Sequence, residues 1–330
     1  MNRLKRLAAL VICASLIGGG CSMLNSAEEE KGYELVDGKN GSKRIKLTDE
    51  ERERLEKKGE EYRKENYVPV QEYIGEGYML EPDEGTDALA EKHKDEVEQA
   101  VKNFFQDKYK TEVKVHNIVG TTGAASIFVE SIGEPHFYTS AIIPVDVKNN
   151  KVKFEDVWSL EDEVEQGIVT GLLAMIYDKE FEKLDKYFTE FINKHPVTGQ
   201  KVEALANVGA NNFSTPYYRL SVNTHYFEEL INAYLENSNR SKEEWKSFGD
   251  KLSYKPEDLI IAIELFMDDQ NSEPDDEIID LVSNDIIRME GLPRAEYAID
   301  LHDNYVDKTS GVGNKKNSLS RGFPEQIIKV

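Results

Sequence analysis

The chain has 330 residues, with 41 Lys and Arg against 63 Asp and Glu, so its formal net charge at pH 7 is −22. A surface this acidic repels phosphate backbones, which argues against binding of nucleic acid. The two cysteines, Cys13 and Cys21, are too few for a cysteine-rich zinc site.

The first twenty residues have the layout of a secretory signal peptide. A basic start, MNRLKR, precedes the uncharged run LAALVICASLIGGG, which ends in small residues. This run is shorter than the roughly 20 apolar residues of a transmembrane helix. We therefore expect residues 1–20 to be removed, and an uncleaved anchor helix is the alternative.

Cys21 is the predicted lipidation site. The sequence LIGGGC at 16–21 resembles a bacterial lipobox, in which the cysteine thiol receives diacylglycerol before cleavage, although Gly18 stands where leucine is usual. Removal of residues 1–20 also discards Cys13, so acylation would consume the remaining thiol. The two acyl chains would anchor the protein stably on the extracytoplasmic face of the cell membrane. The alternative is an ordinary signal peptide that contains a cysteine.

The composition divides the rest of the chain into three parts. Residues 21–66 are predicted to form a lipidated tether, flexible at first and then charged, in which TDEERERLEKKGEEYRKEN is predicted as a solvated helical spacer. Residues 67–308 are predicted to form the globular body, and residues 309–330 a polar tail. A division of the body near 196–216 is the alternative to one undivided body.

The first half of the body combines a helical stripe with a series of strands. One helix is predicted from apolar residues at helical spacing, which are Leu89, His93, Val97, Val101 and Phe104/Phe105. Strands are then predicted from β-branched and aromatic runs, which are TEVKVHNIV, ASIFVESI, HFYTSAIIPVDV and KVKFEDVW. A helix packed on an antiparallel β-meander is the simplest arrangement of these elements.

From Ser159 onward the pattern is mainly helical. A stripe from Val164 to Ile176 contains Gly167 and Gly171, whose spacing indicates close helix packing in a core. Further helices are predicted to begin near Pro256 and Pro274, and EYAIDLHD at 296–303 is predicted as a late strand of the earlier sheet. The predicted fold class is α+β, with a mainly helical C-terminal half.

No catalytic constellation, metal site or cofactor site is predicted. The six histidines lack the His-Glu-x-x-His spacing of a zinc helix, and the chain has no Gly-x-Ser-x-Gly nucleophile motif. The candidate binding surface is instead aromatic: Phe213, Tyr217 and Tyr218 lie in the irregular segment NNFSTPYY. The alternative interpretation is that these rings pack inward and hold a long loop in place.

The lipobox cysteine, the charged tether and the sequence YVPVQEYIGEGY at 67–78 together resemble a known family. This is the group of uncharacterised lipoproteins of staphylococci and bacilli called domain-of-unknown-function family 1672. The resemblance implies a Gram-positive cell-surface lipoprotein, and it carries over no catalytic residues. We therefore expect a binding or interaction module at the cell envelope, with the bilayer and an envelope protein as partners. The alternatives are an envelope hydrolase with a dispersed acid–base or metal site, and a surface spacer without a ligand.

Overall fold

A computed structural model of the protein describes residues 35–37, 43–45, 49–77, 80–209, 212–322 and 324–330. The predicted signal peptide, Cys21 and much of the predicted tether lie outside these ranges. Within them, no helix is both long and apolar enough to cross a membrane.

The described ranges combine helices and strands throughout. The helices are α1 (Asp49–Asn66), α2 (Glu84–Lys92), α3 (Lys94–Tyr109), α4 (Glu163–Ile176), α5 (Asp178–Ile192), α6 (Val202–Val208), α7 (Glu228–Glu236), α8 (Lys242–Gly249) and α9 (Asp276–Arg288). The strands are β1 (Leu35–Asp37), β2 (Lys43–Ile45), β3 (Tyr67–Pro69), β4 (Val113–Thr121), β5 (Ala124–Ser131), β6 (Tyr138–Asp146), β7 (Lys151–Val152), β8 (Val197–Thr198), β9 (Tyr218–Val222), β10 (Leu259–Met267), β11 (Glu296–His302), β12 (Tyr305–Asp307), β13 (Leu319–Arg321) and β14 (Ile327–Ile328). The predicted α+β class is confirmed.

The predicted meander is present as a four-stranded antiparallel sheet in the order β4-β5-β6-β7. The helical stripe that packs on it is broken into two helices, because His93 has a non-helical backbone (φ −110°, ψ 27°) between α2 and α3. The apolar spacing is retained: Val97, Val101 and Phe105 of α3 are fully buried. The prediction of one continuous helix is therefore wrong at His93 alone.

The close packing predicted for the glycines of α4 is confirmed. A Cβ atom on Gly167 would lie 2.6 Å from Cδ2 of Phe137, and one on Gly171 would lie 2.7 Å from the carbonyl oxygen of His136. These contacts bring α4 against the segment that leads into β6.

A second sheet of six strands lies in the C-terminal half. Its centre is the parallel pair β10–β11, and β8 and β9 add to β10 while β13 and β14 add to β11. The helix predicted to begin near Pro256 is wrong: a single 3-10 turn, Pro256–Asp258, leads into β10. The late strand is confirmed as β11, but its neighbour is β10 and not the meander. The last residues, predicted as a polar tail, supply β13 and β14.

The main hydrophobic cluster contains buried residues of both sheets and of helices α2 to α5 and α7 to α9. A second, smaller cluster lies on the other face of the six-stranded sheet. Its buried members are Val70, Tyr73, Ala204, Phe266 and Val306. The six-stranded sheet therefore has one face on the main core and one face under the β3–β12 pair, and this second face carries the polar site described next.

Candidate functional site

The alternation of side chains along β10 and β11 separates an apolar face from a polar one. Ile261 and Ile263 of β10 and Tyr297 of β11 are at most 1% exposed and face the main core. Glu264 and His302 occupy the opposite positions, so they project from the second face of the sheet. The site is built on this face.

A row of polar side chains crosses the second face from β13 to β9. Oγ of Ser318, just before β13, lies 2.8 Å from Nδ1 of His302, and Nε2 of His302 lies 3.3 Å from Oε1 of Glu264. Nη1 of Arg219, on β9, donates to Oε2 of Glu264 at 3.0 Å. We call Ser318, His302, Glu264 and Arg219 the cross-sheet row.

The chemistry of the cross-sheet row assigns the tautomer of His302. A carboxylate only accepts hydrogen bonds, so the ring proton lies on Nε2, facing Glu264. Nδ1 then accepts the hydroxyl proton of Ser318, whose oxygen also accepts the backbone N–H of Lys315 at 2.8 Å. Burial favours protonation of Glu264, but His302 and Arg219 outweigh that effect and lower the pKa of this carboxyl below its ordinary value.

Lys315 fixes the loop between β12 and β13. Its Nζ lies 2.6 Å from Oδ1 of Asp303, donates to the carbonyl oxygen of Gly313 at 3.0 Å, and also donates to the carbonyl oxygen of Tyr305. The ammonium group further lies 5.2 Å from the centre of the Tyr67 ring. With only 7% of its side chain exposed, Lys315 has its donors committed within the protein.

An open cleft of about 490 Å³ lies beside this loop, and we call it the carboxyl-edge cleft. Its lining residues are Arg63, Glu273, Asp303, Lys315, Lys316 and Asn317. Glu273 lies on the connection from β10 to α9, and Asp303 directly follows β11, so the cleft lies at the carboxyl ends of the two parallel strands. Ligands of α/β units bind in this position, outside the carboxyl ends of parallel strands.

Some charged side chains of the carboxyl-edge cleft have partners within the described part of the protein, and others do not. Lys315 and Asp303 neutralise each other, and Nδ2 of Asn317 donates to Oε2 of Glu273 at 2.7 Å and to Oδ2 of Asp303 at 3.1 Å. Arg63 and Lys316 are exposed, and no carboxylate within the described ranges lies within 4.0 Å of either. The lining thus holds three cations against two carboxylates, which leaves one excess positive charge on a protein of net charge −22.

The aromatic candidates from the sequence lie in a different place. Tyr218 is 2% exposed, its ring stacks on Phe181 at 5.9 Å, and its hydroxyl donates to Oδ1 of Asp185 at 2.7 Å. Phe213 and Tyr217 are half-buried, and Tyr217 stacks on Phe188 at 5.6 Å. Tyr218 presents no exposed face, and the contacts of all three rings match the alternative interpretation, in which they hold the loop.

Two further histidines lie beside one carboxylate of the four-stranded sheet. His116 and His136 both lie near Glu130, with distances of 2.7 Å and 3.6 Å to its carboxylate oxygens. Across the described part of the chain, however, no group of three or more His, Cys, Asp or Glu side chains is placed to hold a metal ion.

A model of the family described as "Protein of unknown function (DUF1672)" matches residues 60–329. The chain belongs to the DUF1672 family. The predicted family is thereby confirmed, and acylation at Cys21 stays a prediction. The fold of this DUF1672 protein is similar to a crystal structure, at 1.80 Å resolution, of a DUF1672 family protein from Staphylococcus aureus subsp. aureus Mu50, with a TM-score of 0.63. The two chains are 17% identical, and the similarity covers 77% of this chain and 96% of the other, which shows a shared fold. No curated protein matches the sequence.

Sequence reasoning missed both the cross-sheet row and the carboxyl-edge cleft of this DUF1672 protein. His302 lies in the predicted strand at 296–303, but its hydrogen-bond partners, Ser318 and Glu264, come from two other segments. One signal was present in the sequence: Glu264 interrupts the otherwise apolar run LIIAIELFM, where a charged side chain requires partners.

Proposed function

We propose that this DUF1672 protein is a lipoprotein of the extracytoplasmic face of the cell membrane, acylated at Cys21, and that its body is a binding module whose ligand occupies the carboxyl-edge cleft. The lipobox-like sequence LIGGGC and the apolar run before it support the anchor. The observation that carries the binding role is the position of a charged, open cleft at the carboxyl ends of β10 and β11.

The anchor is tested by labelling cells with an alkyne-bearing fatty acid and comparing the wild-type chain with Cys21→Ala. We expect the label on the wild type and none on the variant, together with release of the variant from the membrane fraction. Equal labelling of the two chains would refute acylation at Cys21.

The binding role is tested by crosslinking in cells that express the anchored protein, with Cys21→Ala as the unanchored control. A photo-crosslinking side chain is introduced at Asn317, in the cleft, and in a second strain at Glu243, an exposed residue of α8. We expect one product to be captured from Asn317 and not from Glu243. The same set of products from both positions would count against a binding site in the cleft.

An envelope hydrolase is the second candidate, and the cross-sheet row is the observation that favours it. Ser318, His302 and Glu264 have the connectivity of a nucleophile, its base and the group that orients the base. In such a site, Oγ of Ser318 attacks an acyl carbonyl while its proton passes to Nδ1 of His302. The proton then moves to the leaving group, and water releases the acyl group from the serine.

Burial favours the binding role over this second candidate. His302 is 1% exposed, and Ser318 closes a turn in which its Oγ and its backbone N–H both bond to the backbone of Lys315. A fluorophosphonate reagent separates the two, because it labels only an activated serine. We expect no label on the wild-type protein. Labelling that is lost in Ser318→Ala would establish the hydrolase instead.

A further inference from the structure

We infer that the ligand of the carboxyl-edge cleft carries an oxyanion, either phosphate or carboxylate, held between Arg63 and Lys316. This inference deepens the proposed binding role and rests on it. The chemical class of the ligand follows from which charged side chains of the cleft already have partners within the protein.

The acidic groups of the cleft are already engaged. Asp303 forms an ion pair with Lys315 at 2.6 Å. The side-chain amide of Asn317 donates one hydrogen bond to Asp303 and another to Glu273. A metal or an amine that bound Asp303 would have to displace these bonds, and at the exposed Glu273 it would still face the cations of the lining. The excess of three cations over two carboxylates therefore disfavours a cationic ligand.

Two basic side chains of the cleft are exposed and have no such partner in the part of the chain that the structure describes. Arg63 is exposed in the last turn of α1, Lys316 is exposed in the loop before β13, and neither has a carboxylate partner among the described residues. A guanidinium group offers a planar set of donors that matches the two oxygens of a carboxylate or phosphate, and an ammonium group adds a point charge. The two together form a receptor for an oxyanion.

The electrostatics of neighbouring groups agree with this arrangement. Burial is the main cause of the lowered pKa of Lys315, Asp303 opposes the shift, the positive charge of Arg63 lowers the pKa further, and Glu273 opposes the shift as well. Arg63 therefore contributes a positive potential at the Lys315 ammonium group. An anion bound there would relieve the repulsion between these two cations.

The size of the cleft limits what the anion belongs to. At about 490 Å³ it falls in the range of small-molecule sites, roughly 300–1,000 Å³. The oxyanion is then part of a small molecule or of one headgroup or chain end. Free phosphate, a soluble carboxylate and an anionic lipid headgroup share the required chemistry, and the test separates these sources.

The test uses the full chain in non-ionic detergent, with equilibrium dialysis against radiolabelled inorganic phosphate and, separately, radiolabelled succinate. A third arm, free of detergent, measures flotation of the unacylated Cys21→Ala chain with neutral phosphatidylcholine vesicles and with vesicles that also contain phosphatidylglycerol. The variants are Arg63→Gln and Lys316→Gln. Lys64→Gln is the matched control, because it removes the same charge one residue along α1 from a side chain that does not line the cleft.

We expect saturable binding of one anion per chain in at least one arm, weakened about tenfold or more by Arg63→Gln and by Lys316→Gln and less than twofold by Lys64→Gln. Binding of phosphate or succinate identifies a soluble ligand, and binding only to the anionic vesicles identifies a headgroup. The absence of saturable binding in every arm would overturn the inference. An equal loss in Lys64→Gln would overturn it as well, because general charge attraction would then explain the binding.

Failure of this inference is distinguishable from failure of the proposed binding role. If no anion binds but crosslinking from Asn317 still captures one specific product, the cleft binds a ligand of another class and only the oxyanion is wrong. If both experiments are negative, the binding role falls with it.

Discussion

The ammonium group of Lys315 lies 2.6 Å from a carboxylate oxygen of Asp303, and only 7% and 17% of the two side chains are exposed. The pair joins the residue after β11 to the loop that leads into β13. It therefore closes the second face of the six-stranded sheet on the side of the carboxyl-edge cleft. Partner loss at such a pair is costly, because the remaining charge is left buried without compensation.

Replacement of Lys315 by Met, an unbranched side chain without the ammonium group, is expected to lower the free energy of unfolding by about 3–5 kcal/mol. Urea denaturation at pH 7 measures the change. The matched control is Lys316→Met, the exposed neighbour, which should stay within about 0.5 kcal/mol of the wild type. Similar losses in the two variants would show that the buried pair is not the cause.

Glu264 is expected to make the protein less stable in acid. Its pKa in the folded protein is held below the ordinary value of 4.5, so the unfolded chain binds its proton first as the pH falls. The stabilisation is complete above pH 4.5 and is lost as the pH falls through the folded pKa. Urea denaturation between pH 7 and pH 3 should therefore show a shallower loss of stability in Glu264→Gln than in the wild type. Glu243→Gln, which removes an exposed carboxylate of α8, should keep the wild-type slope.

The hydroxyl of Tyr62 attaches the end of α1 to the body. It donates to Oδ2 of Asp307 at 2.8 Å, and the backbone N–H of Lys308 donates to the carbonyl oxygen of Asn66 at 2.8 Å. Burial and the neighbouring Asp307 carboxylate raise the pKa of Tyr62 to about 12, so the hydroxyl remains a donor at neutral pH.

Tyr62→Phe is expected to weaken this attachment by about 1.5–3 kcal/mol, the usual contribution of a hydrogen bond to a charged group. Hydrogen exchange should become faster in residues 60–66, with little change in the core strands. Tyr226→Phe serves as the control, since 55% of Tyr226 is exposed. Unchanged exchange in residues 60–66 would contradict a role for the Tyr62 hydroxyl.

Gly167→Ala is expected to destabilise the protein by about 1–3 kcal/mol, because the added methyl group would lie 2.6 Å from the Phe137 ring. Gly59→Ala makes the same chemical change in α1, where no atom lies within 4 Å of the added Cβ, and should raise stability by up to about 1 kcal/mol. Thermal unfolding of both variants measures the contrast. Equal effects would mean that helix propensity outweighs packing at Gly167.

The meander and α3 were predictable because their signals are local. Alternating β-branched residues separated by turns define β4 to β6, and apolar residues three and four apart define the buried face of α3. The segment of β10 was not predictable. Its proline followed by acidic residues is typical of a helix start, whereas the run of consecutive apolar residues after it fits a buried strand equally well. Pairing with β11 decides between them, and that contact is not encoded within either segment.

The site was unpredictable for a related reason. Arg63, Glu273 and Lys316 belong to a helix, an interstrand connection and a late loop, and they approach one another only when β10 and β11 pair in parallel. For the aromatic segment, the sequence shows the residues but not the direction of their side chains. Phe213 and Tyr218 are visible in the sequence as a cluster, but the direction of each ring depends on Phe181 of α5, which both rings contact, and on the pairing of β9 with β10.

The attachment of α1 also has a mechanical consequence. Tension applied along the helix from its N-terminal side reaches the body through Tyr62 and Asn66, and Arg63 lies between these two residues. The same pull that strains the attachment therefore displaces one wall of the carboxyl-edge cleft. By thermodynamic reciprocity, an occupant that bridges Arg63 and Lys316 would make the helix harder to peel away, and peeling would eject the occupant. Occupancy of the cleft would then depend on the force applied to α1.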